Sequence, residues 1–295
     1  RTIKRLLLKH EKVVGFVSVA YIVNNLLNWI DNIPKDRPFF AWIHTADIHE
    51  RNFVSYDITN NQRAIDEEVS SCSELFSMII REGNKYKGNP FYDFAINYTD
   101  MQIGKLIDSL KERNLFDNTM IVVTSDHGHD STGWPVRNNI HIARDFFDEL
   151  YHIPVAFINK EISASKYEQL ASSLDILPTL LSLLGFSTPS SLKGIPIEAG
   201  KSAGRDYVIM EHMGPGPCDF QSKPIKICVR SNTLKLLYEF QLSQDQNEGC
   251  IKEIFNLLVD PNEEQNIVGN GLMSDDVNIL LSVASKRVQE IKDKL

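Results

Sequence analysis

Apolar residues recur along the chain with two periods that alternate. Phe94, Tyr98, Met101, Ile103, Leu106, Ile107 and Leu110 fall at roughly helical spacing and predict a helix over Phe91 to Arg113. A second helix is expected over Lys9 to Ile30, a third around Lys166 to Ser173 and a fourth over Asp175 to Leu184, where Gly185 supplies a C-cap. Between the helices, short apolar runs predict strands at Phe39 to His44, Met120 to Thr124 and Ile153 to Ile158, while Asp47 to Lys87 reads as a polar, irregular excursion. Such alternation of helix and strand argues for a layered α/β architecture.

Past Gly194 to Gly204, a stretch rich in small residues, the pattern changes. Short strands follow at Tyr207 to Glu211, Ile225 to Val229, Thr233 to Glu239 and Glu253 to Leu257, then a closing helix at Asp275 to Lys294. That block suits a small antiparallel sheet packed by one helix. The expected division is therefore an α/β domain over residues 1–200 and a smaller α+β subdomain over 201–295.

Composition narrows the function classes. The 295 residues carry a formal net charge of −8, which offers no broad attraction for nucleic acid, so an anionic substrate needs a local positive site such as a metal. Four cysteines without paired spacing give neither a zinc cluster nor a disulfide framework. The longest apolar stretch, Val13 to Val23, is too short to span a bilayer, and no transmembrane segment is expected.

The chemistry concentrates where Ile121-Val122-Val123 runs into Thr124-Ser125-Asp126-His127-Gly128. An apolar strand delivers a carboxylate and an imidazole side by side at its carboxyl end, the place where α/β sheets carry their sites. Both are suitable ligands for a divalent metal, and the glycine lets the backbone turn away. The plainer alternative is an ordinary polar turn.

The flanking sequence resembles the sulfatase branch of the alkaline-phosphatase superfamily, in order and along nearly the whole chain. The matching stretches are Pro38 to His49, with its Asp-x-His turn; Tyr98 to Gly104; Asn118 to Gly128; Phe147 to Val155; Leu174 to Leu181; and Glu253 to Leu257 with Asp260 to Asn266. The resemblance implies a layered mixed sheet flanked by helices. It also implies one divalent metal ion, with Asp126 and His127 among its ligands. Calcium is favoured by the oxygen-rich family site, with magnesium, manganese or zinc as alternatives.

By the same resemblance His49 matches the histidine that touches the sulfate or phosphate oxygens, and His141 and Arg144 lie where relatives place residues that contact the anion or leaving group. His49 and His141 are thus the candidate proton donors, and His49 and Arg144 the candidate substrate contacts. Ala143 stands where strict sulfatase spacing back from Pro154 puts a lysine, and many sulfatases have Asn where this chain has His127. An Asp-His pair is common in phosphonate-hydrolase, phosphodiesterase and phosphotransferase relatives. Several polar residues have blander readings: Asp47 as a turn former, His44 as a packed strand histidine, His129 and Asp130 as loop polarity, His212 as part of a rigid Gly/Pro turn, and Asp260 to Glu264 as a solvated turn.

No cysteine sits in the Cys-x-Pro-x-Arg motif whose first residue becomes formylglycine: Cys72, Cys218, Cys228 and Cys250 are each followed by other residues. The expectation is a fragment with its formylglycine nucleophile upstream. The complete protein is expected to hydrolyse a small-molecule or glycan sulfate ester through a covalent intermediate. The alternatives are phosphorus chemistry in the same superfamily, or a non-catalytic member.

Overall fold

The computed structural model describes residues 18–34, 36–49, 90–129, 146–198, 204–212, 224–242, 249–269 and 274–294. These divide into two compact units, one ending at Met120 and the other beginning at Ile121.

Among the described residues, the first unit is built on two helices, α1 at Val19–Asn32 and α2 at Pro90–Glu112, which pack on one another. Buried Val19, Val23 and Ile30 make the stripe on α1; on α2 the buried positions Ala95, Tyr98, Thr99, Gln102, Leu106 and Leu110 recur every three or four residues. The guanidinium of Arg113 donates twice to Asp31, at 2.9 Å each, and ties the helix ends together.

Asp47 is not a simple turn former. Its buried carboxylate accepts the backbone N–H of Val19 at 3.1 and 3.0 Å, placing a negative charge on the positive end of α1. The strand expected at Phe39 to His44 does not form. Among the described residues this unit has no other strand to pair with it, so the alternation of apolar side chains has no ladder to join. Phe39 packs edge-on against Trp29, while Phe40 and Trp42 are 78% and 77% exposed, and His44 is exposed rather than packed in a core.

The second unit opens with β1, Ile121–Thr124, paired antiparallel to β2, Val155–Ile158, so that Thr124 faces Val155. Between them lies a single helical turn, α3, at Asp148–Tyr151. Helix α4 at Ile176–Leu183 ends as its glycine predicts: Gly185 has φ +77°, its N–H reaches Ser182 O at 3.0 Å, and Phe186 N–H reaches Leu181 O at 2.8 Å. The helix expected at Lys166 to Ser173 is irregular instead. Ser172 and Asp175 cap each other around one 3-10 turn, which fixes the helix start only at Ile176.

The C-terminal block matches its expected form. Strands β3 (Val208–His212), β4 (Ile225–Arg230), β5 (Leu234–Phe240) and β6 (Cys250–Asn256) make an antiparallel sheet in chain order. Helix α5, Asp275–Lys292, lays Val277, Leu280, Ala284, Val288 and Ile291 on the face formed by Ile225, Ile227, Val229, Leu234 and Leu236. Fully burying a Leu or Ile side chain is worth about 1.5–3 kcal/mol, so this seam holds the block together.

Strand alternation sends Cys228, Arg230, Lys235 and Leu237 to the opposite face. There Phe146 caps Cys228 and Leu237, and Phe147 meets Phe255 with ring centres 6.4 Å apart. The segment leading into α3 therefore sits on the C-terminal sheet. Asp260 to Glu264 is likewise no fully solvated turn: Asp260 and Glu263 are buried, while Pro261, Asn262 and Glu264 are exposed.

Candidate metal centre

β1 ends at Thr124, and the turn that follows is tightened by its own side chains. Ser125 Oγ donates to His127 O, and His127 N–H donates to Asp126 Oδ1 at 3.0 Å. His127 Nδ1 lies 2.7 Å from Gly128 O, a geometry that makes Nδ1 the donor and leaves the Nε2 lone pair outward. Asp126 Oδ2 stands 3.8 Å from that Nε2, and both side chains are open to solvent.

These two atoms fit one divalent ion. Ligands about 2.2–2.4 Å from a common metal lie roughly 3.1–3.9 Å apart at ordinary coordination angles. The separation and the fixed tautomer are thus what metal ligation needs. Among the described residues no third His, Cys, Asp or Glu joins them to complete a shell.

Gly128 is dictated by close approach rather than by its φ. Its N–H donates to Leu150 O at 2.7 Å, and a Cβ there would stand 2.0 Å from Glu149 O and 2.9 Å from Glu149 C. Only a residue without a side chain lets the turn lie against the backbone of α3.

Behind α3 lies a charge network, buried at Lys235 and Glu263 and partly exposed at Asp148 and Arg230, that the sequence reading missed. Asp148 accepts from Arg230 Nε at 3.0 Å, Arg230 Nη2 at 2.9 Å and Lys235 Nζ at 2.9 Å. Lys235 also pairs with Glu263, their side chains being 3% and 1% exposed, and Glu263 Oε2 accepts the backbone N–H of Asp148 at 3.1 Å. Burial pushes the Asp148 carboxyl up, but Arg230 and Lys235 outweigh it and hold it below its ordinary value. For Glu263 burial wins over the Lys235 ammonium, and its carboxyl lies above the ordinary value. One signal was legible: Lys235 sits inside the apolar run Leu234 to Leu237, and a lysine on the inner face of a strand needs a partner.

His49 is exposed in the Asp47–His49 turn of the first unit. His141, Arg144, Asp130, Cys72 and Cys218 lie outside the described residues. His129 is half-buried just past the Asp126-His127 turn, and His212 packs edge-on against Phe146. Burial pushes the Cys228 thiol up to about 12, which makes it a packing residue and not a nucleophile. Among the described residues no helix is long and apolar enough to cross a membrane.

Comparison with known proteins converges on one family. Arylsulfatase K of Rattus norvegicus is 27% identical over 195 residues, covering 64% of this chain and 31% of that protein. The N-acetylglucosamine-6-O-sulfatase of Bacteroides thetaiotaomicron is 24% identical over 206 residues, covering 66% of this chain and 34% of that protein. The matched region thus spans about a third of these curated relatives' own length.

A protein solved in complex with its substrate D-glucosamine-2-N,6-O-disulfate superposes with a TM-score of 0.58 at 18% identity, over 94% of this chain and 70% of that one. One solved with k-i-k-neocarrahexaose gives 0.55 at 18% identity, over 92% and 54%. These superpositions show that the chain shares the fold of those two proteins. The sulfatase family model itself matches residues 3–186, well over half of the sequence, and the chain belongs to the sulfatase family.

Proposed function

We propose that the protein carrying this chain is a metal-dependent hydrolase of sulfate esters, in which Asp126 and His127 hold one divalent ion. The observation that carries this reading is the 3.8 Å approach of Asp126 Oδ2 to His127 Nε2, with the imidazole tautomer set by Gly128 O. A bound ion there would neutralise the ester oxygens and favour the ionised nucleophile. The oxygen-rich family site argues for calcium, with magnesium or manganese as alternatives; the imidazole shifts the choice toward manganese or zinc.

None of the four cysteines stands in Cys-x-Pro-x-Arg, so none of them is assigned as the formylglycine nucleophile, and the proposed step takes that group from the complete protein. That group attacks sulfur in line, the bond from sulfur to the alcohol oxygen breaks, and the departing oxygen takes a proton. His49 and His141 are the candidate donors for that proton, and His49 and Arg144 the candidate contacts for the sulfate oxygens. A sulfated sugar is the substrate class best supported, through the resemblance to an N-acetylglucosamine-6-O-sulfatase.

His127 itself favours a second reading, phosphodiester or phosphonate cleavage or phosphoglycerol or phosphoethanolamine transfer, since sulfatases commonly carry Asn there. Matched aryl sulfate and aryl phosphodiester substrates, assayed with and without chelator on the full-length protein, separate the two. Chelator-sensitive sulfate release supports the first reading and phosphodiester cleavage the second. Turnover of neither leaves a non-catalytic binding protein.

A further inference from the structure

We infer that Asp148, Arg230, Lys235 and Glu263 are positioning residues for the Asp126-His127 turn, acting through the Asp148–Tyr151 helix; the role rests on the metal-site reading above. The helix is a single turn with no side-chain N-cap bond, so its placement comes from outside. The C-terminal sheet supplies it. The Asp148 side chain is held by Arg230 and Lys235 of that sheet, and its backbone N–H by Glu263 in the turn after β6, so both ends of that residue are anchored to the C-terminal block.

From there the constraint passes in two residues to the metal turn. Glu149 O is the atom against which Gly128 lies, and Leu150 O is the acceptor of the Gly128 N–H. Gly128 O in turn fixes the ring of His127. A shift of Asp148 therefore moves both contacts of the glycine and, with it, the imidazole that faces the ion.

Two features argue that these charges serve geometry more than bulk stability. An apolar cluster would hold the two layers equally well, since burying paired charges costs nearly as much as their attraction returns. Glu263 also adopts φ +56°, a conformation L-residues with side chains avoid, and keeps it while its buried carboxylate accepts from Lys235. Unlike dispersion contacts, hydrogen bonds from a guanidinium fork and an ammonium specify direction.

The test compares Lys235→Met and Arg230→Gln with the unsubstituted protein by amide hydrogen exchange, and by titration with Mn²⁺. The expected result is exchange at Gly128 at least tenfold faster while the β5 amides keep their protection, with Mn²⁺ bound several-fold more weakly. Equal acceleration at Gly128 and in β5, or no change at Gly128, overturns the proposal in favour of a purely structural network. Arg230→Gln, at a partly exposed position, preserves the comparison if Lys235→Met does not fold. If the unsubstituted protein binds no Mn²⁺, the metal reading fails, and exchange at Gly128 still decides whether the network positions the turn.

Discussion

Gly128→Ala puts one methyl group at the tightest contact of the candidate site. Its Cβ would stand 2.0 Å from Glu149 O and 3.1 Å from Leu150 C, and both are backbone atoms that no rotamer change can move. Restoring an ordinary contact of roughly 3.4 Å requires the turn and α3 to part by about 1.4 Å. The 2.7 Å bond from Gly128 N–H to Leu150 O then stretches to about 4 Å and is lost.

Losing that bond costs about 1 kcal/mol, and forcing the backbone apart adds about 1–3 kcal/mol. The sum, about 2–4 kcal/mol, corresponds to a fall in Tm of roughly 4–16 °C for a unit of this size. Because Asp126 and His127 ride on the turn, metal affinity falls with it. Thermal melting and calorimetric titration with a divalent ion read the two effects separately. A variant that melts within about 1 °C of the parent and binds the ion equally well would refute the argument that close packing against α3 holds the site.

Other residues give sharper single outcomes. Asp126→Asn, at an exposed carboxylate that accepts the N–H of the adjacent His127, leaves Tm unchanged but lowers metal-dependent turnover by about 100-fold or more in the full-length protein. Arg205→Met strands the buried Asp175 carboxylate, which otherwise accepts from Arg205, Ser172 N–H and Ile195 N–H, and costs about 3 kcal/mol by denaturant unfolding. Burial raises the Asp175 carboxyl, but Arg205 and the two amides outweigh it and keep it below its ordinary value. Its stabilisation is therefore present above the unfolded-state pKa near ~3.9 and is lost as pH falls through the lower folded-state value; Asp175→Asn flattens the stability curve in that acid window. Asp47→Ala removes both acceptors of the Val19 N–H and destabilises α1 by about 1–2 kcal/mol, seen as lost helical signal on mild heating.

The sequence revealed most where the forces are local. Helix α5 and strands β3 to β6 could be read because apolar spacing of three to four, then two, matches the faces they bury, and Gly185 ends α4 with the positive φ its type permits. The strand end at Thr124 and the turn after it were legible for the same reason, an apolar run that stops at a carboxylate, an imidazole and a glycine. Phe39 to His44 misled because a strand needs a partner, and pairing is not written in the segment itself. Lys166 to Ser173 misled because Ser172 and Asp175 end the irregular stretch with their own capping bonds. Glu263 was read as solvated, yet its burial is decided by Lys235, 28 residues away, and that pairing appears only once the sheet is folded. Nor could spacing show that Gly128 matters for its contact with Glu149.

The central claim is that Asp126 and His127 bind one divalent ion. Anomalous X-ray diffraction from crystals of the protein soaked in Mn²⁺ tests it without recourse to activity. The account predicts one peak within about 2.0–2.6 Å of both Asp126 Oδ2 and His127 Nε2. A peak that touches neither atom, or none while both side chains keep their 3.8 Å approach, would contradict it.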